Sequence, residues 1–124
     1  AAAGSYTGTA RSIADGRFVG WFSLRSSADG EAELGYRLRR DAWGQGFATE
    51  GARRLVDHGF TDLGLERIWA QTMTVNERSR RVMERLGLVF VRTFFEEWEG
   101  DEIPGGELGD VEYELLRSDW PGAA

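Results

Sequence analysis

Two glycines, one residue apart, stand between a strand-like stretch and a helix-like stretch of the sequence. Gly44 and Gly46 lie in the string Trp-Gly-Gln-Gly-Phe-Ala-Thr-Glu at positions 43–50, and apolar residues recur at helical spacing from Phe47 onward. Glycine has no Cβ, so such a turn lets a ligand approach the backbone closely. A glycine turn that opens a helix also leaves the first N–H groups unpaired at the positive end of the helix dipole. The residue types and their spacing therefore predict an anion site, above all for phosphate.

Two common phosphate-binding motifs do not fit this turn. A P-loop needs Lys followed by Ser or Thr after its last glycine, and Phe47-Ala48 stands there instead. A dinucleotide-binding turn needs a third glycine, whereas position 49 is Thr. It also needs an acid at the end of the next strand, which here ends in Gln-Thr-Met-Thr at 71–74. Both motifs are therefore disfavoured.

The stretches on either side of the turn predict one mixed α/β domain. Residues 31–39 alternate apolar and polar side chains, as a strand with one wet face does, and they lead into the turn. A helix is predicted from Phe47 to about Gly64, followed by a strand over Arg67–Thr74 that would lie parallel to the first one. Asn76 is a natural N-cap for a second helix, and Gly87 suits its C′ position.

Four further strands are predicted with less regular patterns. Arg17–Arg25 is apolar on both faces, which places it well inside a sheet. The others are a weak strand within Ser5–Ile13, then Leu88–Trp98 and Asp110–Arg117, with turns at 14–16 and 26–30.

Three strings carry a resemblance to a known family. Trp-Gly-Gln-Gly-Phe-Ala at 43–48 resembles the Gln/Arg-x-x-Gly-x-Gly/Ala signature of the GNAT superfamily of N-acetyltransferases, and the string through Glu50 is similar to its RimJ/RimL branch, which acetylates protein N-termini. Trp43 replaces the usual Gln or Arg, so that position offers no charge to a phosphate. Residues 76–87 resemble the second GNAT motif, Asn-x-x-Ser and a helix, and 109–116 resemble the closing strand of the branch. The resemblance covers about Gly16 to Trp120.

This resemblance implies a GNAT-like mixed, mostly antiparallel, twisted sheet with a central parallel strand pair and flanking helices. Members of the family carry a first strand and a helix pair ahead of this region, where they form one wall of the acceptor site. The chain begins about where those elements end. We therefore expect a single acetyl-CoA-binding domain over residues 1–124, a fragment or a trimmed relative in which that wall is missing.

The resemblance also implies the cosubstrate, acetyl-CoA, and the residues that bind it. The strand before the turn splays from its parallel neighbour in this family, and its free backbone amides bind the pantetheine and polarise the thioester. The backbone of the turn grips the pyrophosphate, with the Thr49 hydroxyl as an added donor unless it caps the helix. The predicted cofactor-binding residues are Tyr36, Arg37, Leu38, Gly44, Gln45, Gly46, Phe47, Ala48, Thr49, Asn76, Ser79 and Arg81.

The implied reaction is direct transfer of acetyl to an amine, which needs a base and an acid. Glu33 projects from the polar side of the strand and is the candidate base; the alternatives are an ion pair with Arg37 and a water chain. Ser79 occupies the place where the RimL-like pattern puts a hydroxyl near the sulfur of CoA, and it is the candidate acid. Ser79 and Asn76 have a second interpretation, in which they only cap the helix.

Other charged residues leave open choices. Arg80, Arg81 and Arg85 either meet the 3′-phosphate or adenosine end of CoA or are solvated. His58 is predicted as a surface residue of the first helix. The acidic loop at 96–107 either attracts a cationic amine or is a solvated hairpin tip.

Composition excludes several other functions. The chain of 124 residues has a net charge of −6, which disfavours binding to nucleic acid or an anionic membrane. With no Cys and one His, we expect no metal site, and a cytoplasmic location is consistent with this. The predicted partner is an amine acceptor, either a protein N-terminus or a small amine, and a homodimer is compatible with the sequence. The alternative functions are an acyl-CoA-binding module without turnover and a fragment that folds only with a partner chain.

Overall fold

The computed structural model describes residues 6–11, 18–38, 46–95 and 106–121. Its strands and helices follow in the order β1 (Tyr6–Arg11), β2 (Phe18–Ala28), β3 (Glu31–Leu38), α1 (Phe47–Thr61), β4 (Arg67–Met73), α2 (Glu77–Arg85), β5 (Val89–Phe94) and β6 (Asp110–Leu116), with short 3₁₀ turns at Gly106–Leu108 and Arg117–Asp119.

The described strands form one sheet in the order β1-β2-β3-β4-β6-β5. Neighbouring strands run antiparallel except β3 and β4, which are parallel. The predicted fold class, a mostly antiparallel mixed sheet with a central parallel pair and flanking helices, is therefore confirmed.

One face of this sheet carries the hydrophobic core. Facing pairs such as Leu24 and Leu34 in β2 and β3, or Ala32 and Ile68 in β3 and β4, place buried side chains on the same side. Both helices pack against that side, and their buried residues join those of the strands in a single cluster. The cluster consists of Phe22, Leu24, Ala32, Leu34, Ala52, Leu55, Val56, Phe60, Leu65, Ile68, Ala70, Val82, Met83, Leu86, Leu88, Val111, Tyr113 and Leu115.

The other face of the sheet, called here the second face, carries polar and exposed side chains. The prediction that β2 is apolar on both sides and lies well inside the sheet is right about its position, between β1 and β3. The two sides differ in burial, however: among the described side chains of β2, Phe22 and Leu24 lie in the core, while Trp21 on the other side is 40% exposed.

Helix α1 packs closely against the sheet at two of its glycines, which face the strands. A Cβ at Gly51 would stand 2.3 Å from the ring of Phe22, and one at Gly59 would stand 3.0 Å from Ile68 and Leu24. At the far end, Arg117 donates hydrogen bonds to the carbonyl oxygens of Phe60 and Leu65 and so ties the end of β6 to the end of the helix. These contacts fix the position of α1, and therefore of its first turn.

Several predicted boundaries shift by a few residues. Helix α1 ends at Thr61 and not near Gly64, because Asp62 and Leu63 both donate to the carbonyl oxygen of His58. Strand β2 continues to Ala28, past the start of the predicted turn, since its pairing with β3 survives a bulge between Ser26 and Ala28.

Strands β4 and β6 each end one residue early, and β5 is shorter than Leu88–Trp98. It runs from Val89 to Phe94, and Phe95 is already outside it. The turn predicted at 14–16 and the rest of the acidic loop before Gly106 lie outside the described residues.

Candidate active site

The parallel pairing of β3 and β4 stops well before either strand ends. The ladder comprises Glu31 with Arg67, Ala32 with Ile68, and Glu33 with Trp69. Beyond it β3 continues to Leu38 and β4 to Met73 without pairing to each other. Each strand keeps its outer neighbour over this length, β2 for β3 and β6 for β4. The two strands therefore part from Glu33 and Trp69 onward, as the resemblance implies, and leave a cleft between their backbones.

Helix α1 follows β3 in the chain, and it begins after a glycine. Gly46 is the N-cap residue, with the left-handed dihedrals φ 81° and ψ −1° that favour glycine. The first helical hydrogen bond is the one from the Glu50 N–H to the Gly46 carbonyl, at 3.0 Å. The amides of residues 47–49 precede this bond and have no intrahelical acceptor.

Gly46 has no side chain with which to cap this helix start, and none of the described residues supplies one. Thr49 is the third helical residue, so the alternative in which Thr49 is the cap is wrong. Gly44 and Gln45 lie outside the described residues, and for Leu38 and Phe47 the backbone alone is described. Their contacts with a cofactor remain predictions.

Helix α2 follows β4 in the chain, and a side chain caps its N-terminus. Asn76 is the N-cap, as predicted, and its Oδ1 accepts a hydrogen bond of 3.1 Å from the Ser79 N–H. The capping role of Asn76 is confirmed, whereas a contact with pantetheine remains a prediction.

Ser79 forms a second contact that the sequence did not reveal. Its Oγ lies 2.8 Å from the hydroxyl of Tyr36, which also lies 3.3 Å from the Ser79 carbonyl oxygen. Tyr36 belongs to the part of β3 that has left β4, and its ring lies 6.1 Å from that of Phe22. Burial raises the pKa of Tyr36, although the hydrogen bond with Ser79 acts in the opposite direction. At neutral pH the phenol is therefore protonated and able to donate.

Glu33, the candidate base, stands at the last paired position before the strands part. Its carboxylate forms an ion pair of 2.9 Å with Arg25, and its side chain is 17% exposed. The sequence also predicted an ion pair as the alternative role of Glu33, but it named Arg37 as the partner, which is wrong. Arg25 lies directly opposite Glu33 in the β2–β3 register, where side chains are closest.

The arginines of α2 differ from one another in role. Arg80 turns inward, where its Nε donates to the Tyr113 hydroxyl at 3.1 Å and its Nη1 to the Thr74 carbonyl at 3.0 Å. Arg81 is exposed and lies 3.5 Å from Glu77. Of the two, only Arg81 is placed as a solvated cation near the helix start.

The second face of the sheet carries an ion cluster that the sequence did not reveal. Arg67 contacts three carboxylates, those of Glu31 at 2.9 Å and of Glu112 and Glu114 at 2.6 Å each. Partial burial lowers the pKa of Arg67, but the hydrogen bonds to these carboxylates outweigh burial and leave that pKa raised. The alternating Glu residues of β3 and β6 were visible in the sequence, but their common partner depends on the strand order.

Within the ranges that the structure covers, no cluster of His, Cys, Asp or Glu has the arrangement of a metal site. Among the described helices, none has both the length and the apolar character needed to span a membrane.

The mixed sheet with one parted parallel pair is the fold of solved N-acetyltransferases. A spermidine N-acetyltransferase of Vibrio cholerae, solved as a dodecamer, matches with a TM-score of 0.79 and 22% identity over 92% of this chain and 66% of that one. A GNAT-family acetyltransferase of Bacillus anthracis matches with a TM-score of 0.76 and 24% identity over 90% of this chain and 66% of that one.

Sequence comparison identifies the family. The family model described as "Acetyltransferase (GNAT) domain" matches residues 2–89. The chain therefore belongs to the GNAT acetyltransferase family, whose members use acetyl-CoA as cosubstrate. The match ends at the start of β5, so the closing strand β6 lies beyond it.

Two curated relatives show how much of a full-length member is present. The FsC-acetyl coenzyme A-N(2)-transacetylase of Aspergillus fumigatus is 40% identical over 122 residues, which cover 91% of this chain and 52% of that protein. YdaF of Bacillus subtilis, named as a candidate ribosomal N-acetyltransferase, is 33% identical over 113 residues, which cover 87% of this chain and 58% of that protein. The chain thus spans somewhat more than half the length of each.

A pair of substitutions at Asn76 separates capping from cofactor contact. Asn76→Ser keeps a capping oxygen but removes the amide, whereas Asn76→Ala removes both. We expect Asn76→Ser to unfold at the wild-type temperature and to bind CoA about 3–10-fold more weakly, because one hydrogen bond to the ligand is lost. Asn76→Ala is expected to lose a further ~1 kcal/mol of unfolding free energy. Calorimetry measures the affinity for CoA, and thermal unfolding measures the stability. If Asn76→Ser binds CoA with wild-type affinity, Asn76 caps the helix and does not contact the cofactor.

Proposed function

We propose that this chain transfers the acetyl group of acetyl-CoA to a primary amine by direct attack on the thioester. The observation that carries the proposal is the cleft between β3 and β4, which opens toward the N-termini of both helices. A strand edge with free backbone groups beside an uncapped helix start suits a ligand with amides at one end and phosphates at the other.

In this proposal the pyrophosphate of CoA binds at the start of α1, on the backbone of residues 44–49. The pantetheine lies along Tyr36, Arg37 and Leu38 and forms hydrogen bonds to backbone groups that β4 no longer pairs. Asn76 supplies its amide from the facing helix, and Arg81, an exposed cation on that helix, binds the phosphate groups of CoA. Backbone donors that point at the thioester oxygen would stabilise its developing charge.

The chemistry needs two proton transfers. Glu33 removes a proton from the incoming ammonium, and the neutral nitrogen then attacks the thioester carbon. When the C–S bond breaks, its electron pair stays on sulfur, which takes a proton from Ser79. Glu33 stands where the strands part and Ser79 at the start of α2, so they approach the cleft from different elements.

The acceptor is an amine, and two relatives suggest which kind. The Aspergillus relative is named as an N(2)-transacetylase, and YdaF as a candidate ribosomal N-acetyltransferase. We propose a small amine or a protein N-terminal α-amine, the latter if the chain belongs to the RimJ/RimL branch. A cytoplasmic location and homodimer formation remain predictions alongside this choice.

The proposal is tested by the release of CoA thiol from acetyl-CoA in the presence of a panel of small amines and N-terminal peptides. Turnover with at least one amine is expected. If acetyl-CoA raises the melting temperature but no amine releases thiol, the chain is an acyl-CoA-binding module. If acetyl-CoA produces neither effect, the proposed site is wrong.

A matched pair of glycine variants tests the phosphate site. Gly46 and Gly64 both have positive φ, 81° and 67°, and a Cβ at either would meet no atom within 4 Å among the described residues beyond its neighbours in the chain. Valine at either position should therefore lose similar stability, about 1–2 kcal/mol, from backbone strain. We expect only Gly46→Val to lose CoA binding in calorimetry, at least 10-fold, because only this side chain would crowd the ligand. Equal CoA affinity in both variants would place the phosphates elsewhere.

A second matched pair tests the base. Glu33 and Glu31 lie on the same side of β3, and each pairs with an arginine at 2.9 Å, Arg25 and Arg67 respectively. We expect Glu33→Gln to lower kcat about 100-fold with little change in CoA affinity, because proton removal is lost. Glu31 lies outside the cleft, so Glu31→Gln should keep the wild-type kcat. Normal turnover of Glu33→Gln would mean that a water chain, and not Glu33, removes the proton from the ammonium.

A further inference from the structure

The contact between Tyr36 and Ser79 joins the two sides of the cleft. Tyr36 lies on β3 beyond the last residue paired with β4, and Ser79 lies in the first turn of the helix that follows β4. Their hydroxyl oxygens are 2.8 Å apart, a normal length for a hydrogen bond between hydroxyl groups. A side chain on one strand thus reaches the residue that the proposed function uses as proton donor.

Each hydroxyl has one proton, so two arrangements are compatible with the distances. In the first, Ser79 donates to Tyr36, and Tyr36 donates to the Ser79 carbonyl oxygen at 3.3 Å. In the second, Tyr36 donates to Ser79 Oγ, and the Ser79 proton is available for another acceptor. The two differ only by rotation of the hydroxyl protons, so the exchange between them needs no movement of heavy atoms.

We propose that Tyr36 is a positioning residue for the acetyl transfer, which holds Ser79 Oγ by a donated hydrogen bond and thereby directs the Ser79 proton at the leaving sulfur. This inference rests on the proposed function. A hydrogen bond donated to Oγ also stabilises the negative charge that develops on that atom as its proton departs.

The step balances without an external acid. After attack, the nitrogen of the tetrahedral adduct still carries one proton more than the amide will. As the C–S bond breaks, sulfur takes the Ser79 hydroxyl proton, and Ser79 Oγ takes the extra proton from nitrogen. The other proton of the ammonium has already gone to Glu33. The products are the amide, CoA thiol and regenerated Ser79, and Tyr36 keeps its own proton throughout.

The test is a double-mutant cycle of Tyr36→Phe and Ser79→Ala, with kcat and the KM for acetyl-CoA measured for all four proteins. Phenylalanine keeps the ring that lies beside Phe22 and removes only the hydroxyl. We expect Tyr36→Phe to lower kcat about 10–100-fold, with KM within about twofold of the wild type, because a hydrogen bond to a developing charge is lost. In the Ser79→Ala background the same change should have no further effect on kcat, since Tyr36 acts through Ser79.

Three results would overturn the inference: wild-type kcat in Tyr36→Phe, wild-type kcat in Ser79→Ala, or an equal loss from Tyr36→Phe with and without Ser79. The last result would indicate a structural effect of the hydroxyl. In all three cases acetyl transfer itself continues in the wild type. A wild-type chain that never releases CoA thiol removes the proposed function, and this inference with it.

A second variant covers the case in which Tyr36→Phe does not fold. Site-specific 3-fluorotyrosine at position 36 retains the hydroxyl and makes it more acidic. It should change kcat and its pH profile when Ser79 is present and leave both unchanged in Ser79→Ala. The same shift in both backgrounds would contradict the inference.

Discussion

The early end of the β3–β4 ladder is the constraint on which the rest of the site depends. Backbone N–H and C=O groups inside a protein must find partners, and in a sheet each strand normally finds them on both sides. Here β3 and β4 share hydrogen bonds only from Glu31 to Glu33 and from Arg67 to Trp69. The remainder of each strand is held on its outer side alone, so the inner edges can accept another extended molecule.

The packing of the two helices explains how the strands stay apart. Helix α1 is seated on the sheet by Gly51 and Gly59, which permit close contact with side chains of β2 and β4. Helix α2 is fixed at its start by Arg80, which reaches the Thr74 carbonyl and the Tyr113 hydroxyl. Because each helix is the next element of the chain after one of the two parallel strands, both N-termini come to the same end of the cleft. Tyr36 then bridges to Ser79 across it.

Local signals in the sequence predicted those parts of this site that depend on a single helix or strand. The glycine that opens α1 and the capping of α2 by Asn76 follow from residue type and the neighbouring few positions, and both appear in the structure. The parallel pair followed from the strand–helix–strand order. The alternation over residues 31–39 correctly put Glu33 and Tyr36 on opposite sides of β3.

Contacts between distant elements could not be predicted in the same way. Arg25 was not recognised as the partner of Glu33, because the choice between it and Arg37 depends on strand register. The Tyr36–Ser79 contact joins residues 43 positions apart. The alternation in β3 shows only that Tyr36 lies on the apolar side of the strand, and it does not indicate a hydrogen-bond partner. The ion cluster around Arg67 likewise needs β6 beside β4, an order that no local pattern encodes.

The most direct test of this account is residue-resolved amide hydrogen exchange with and without saturating CoA. We expect slower exchange on CoA binding for those amides of residues 34–38 that do not pair with β2, and for residues 47–49 at the start of α1. The paired residues 31–33 and the distant strand β5 should show no change. Protection confined to another surface, or unchanged exchange at 34–38 and 47–49 with CoA bound, would contradict the claim that the parted strands are the coenzyme site.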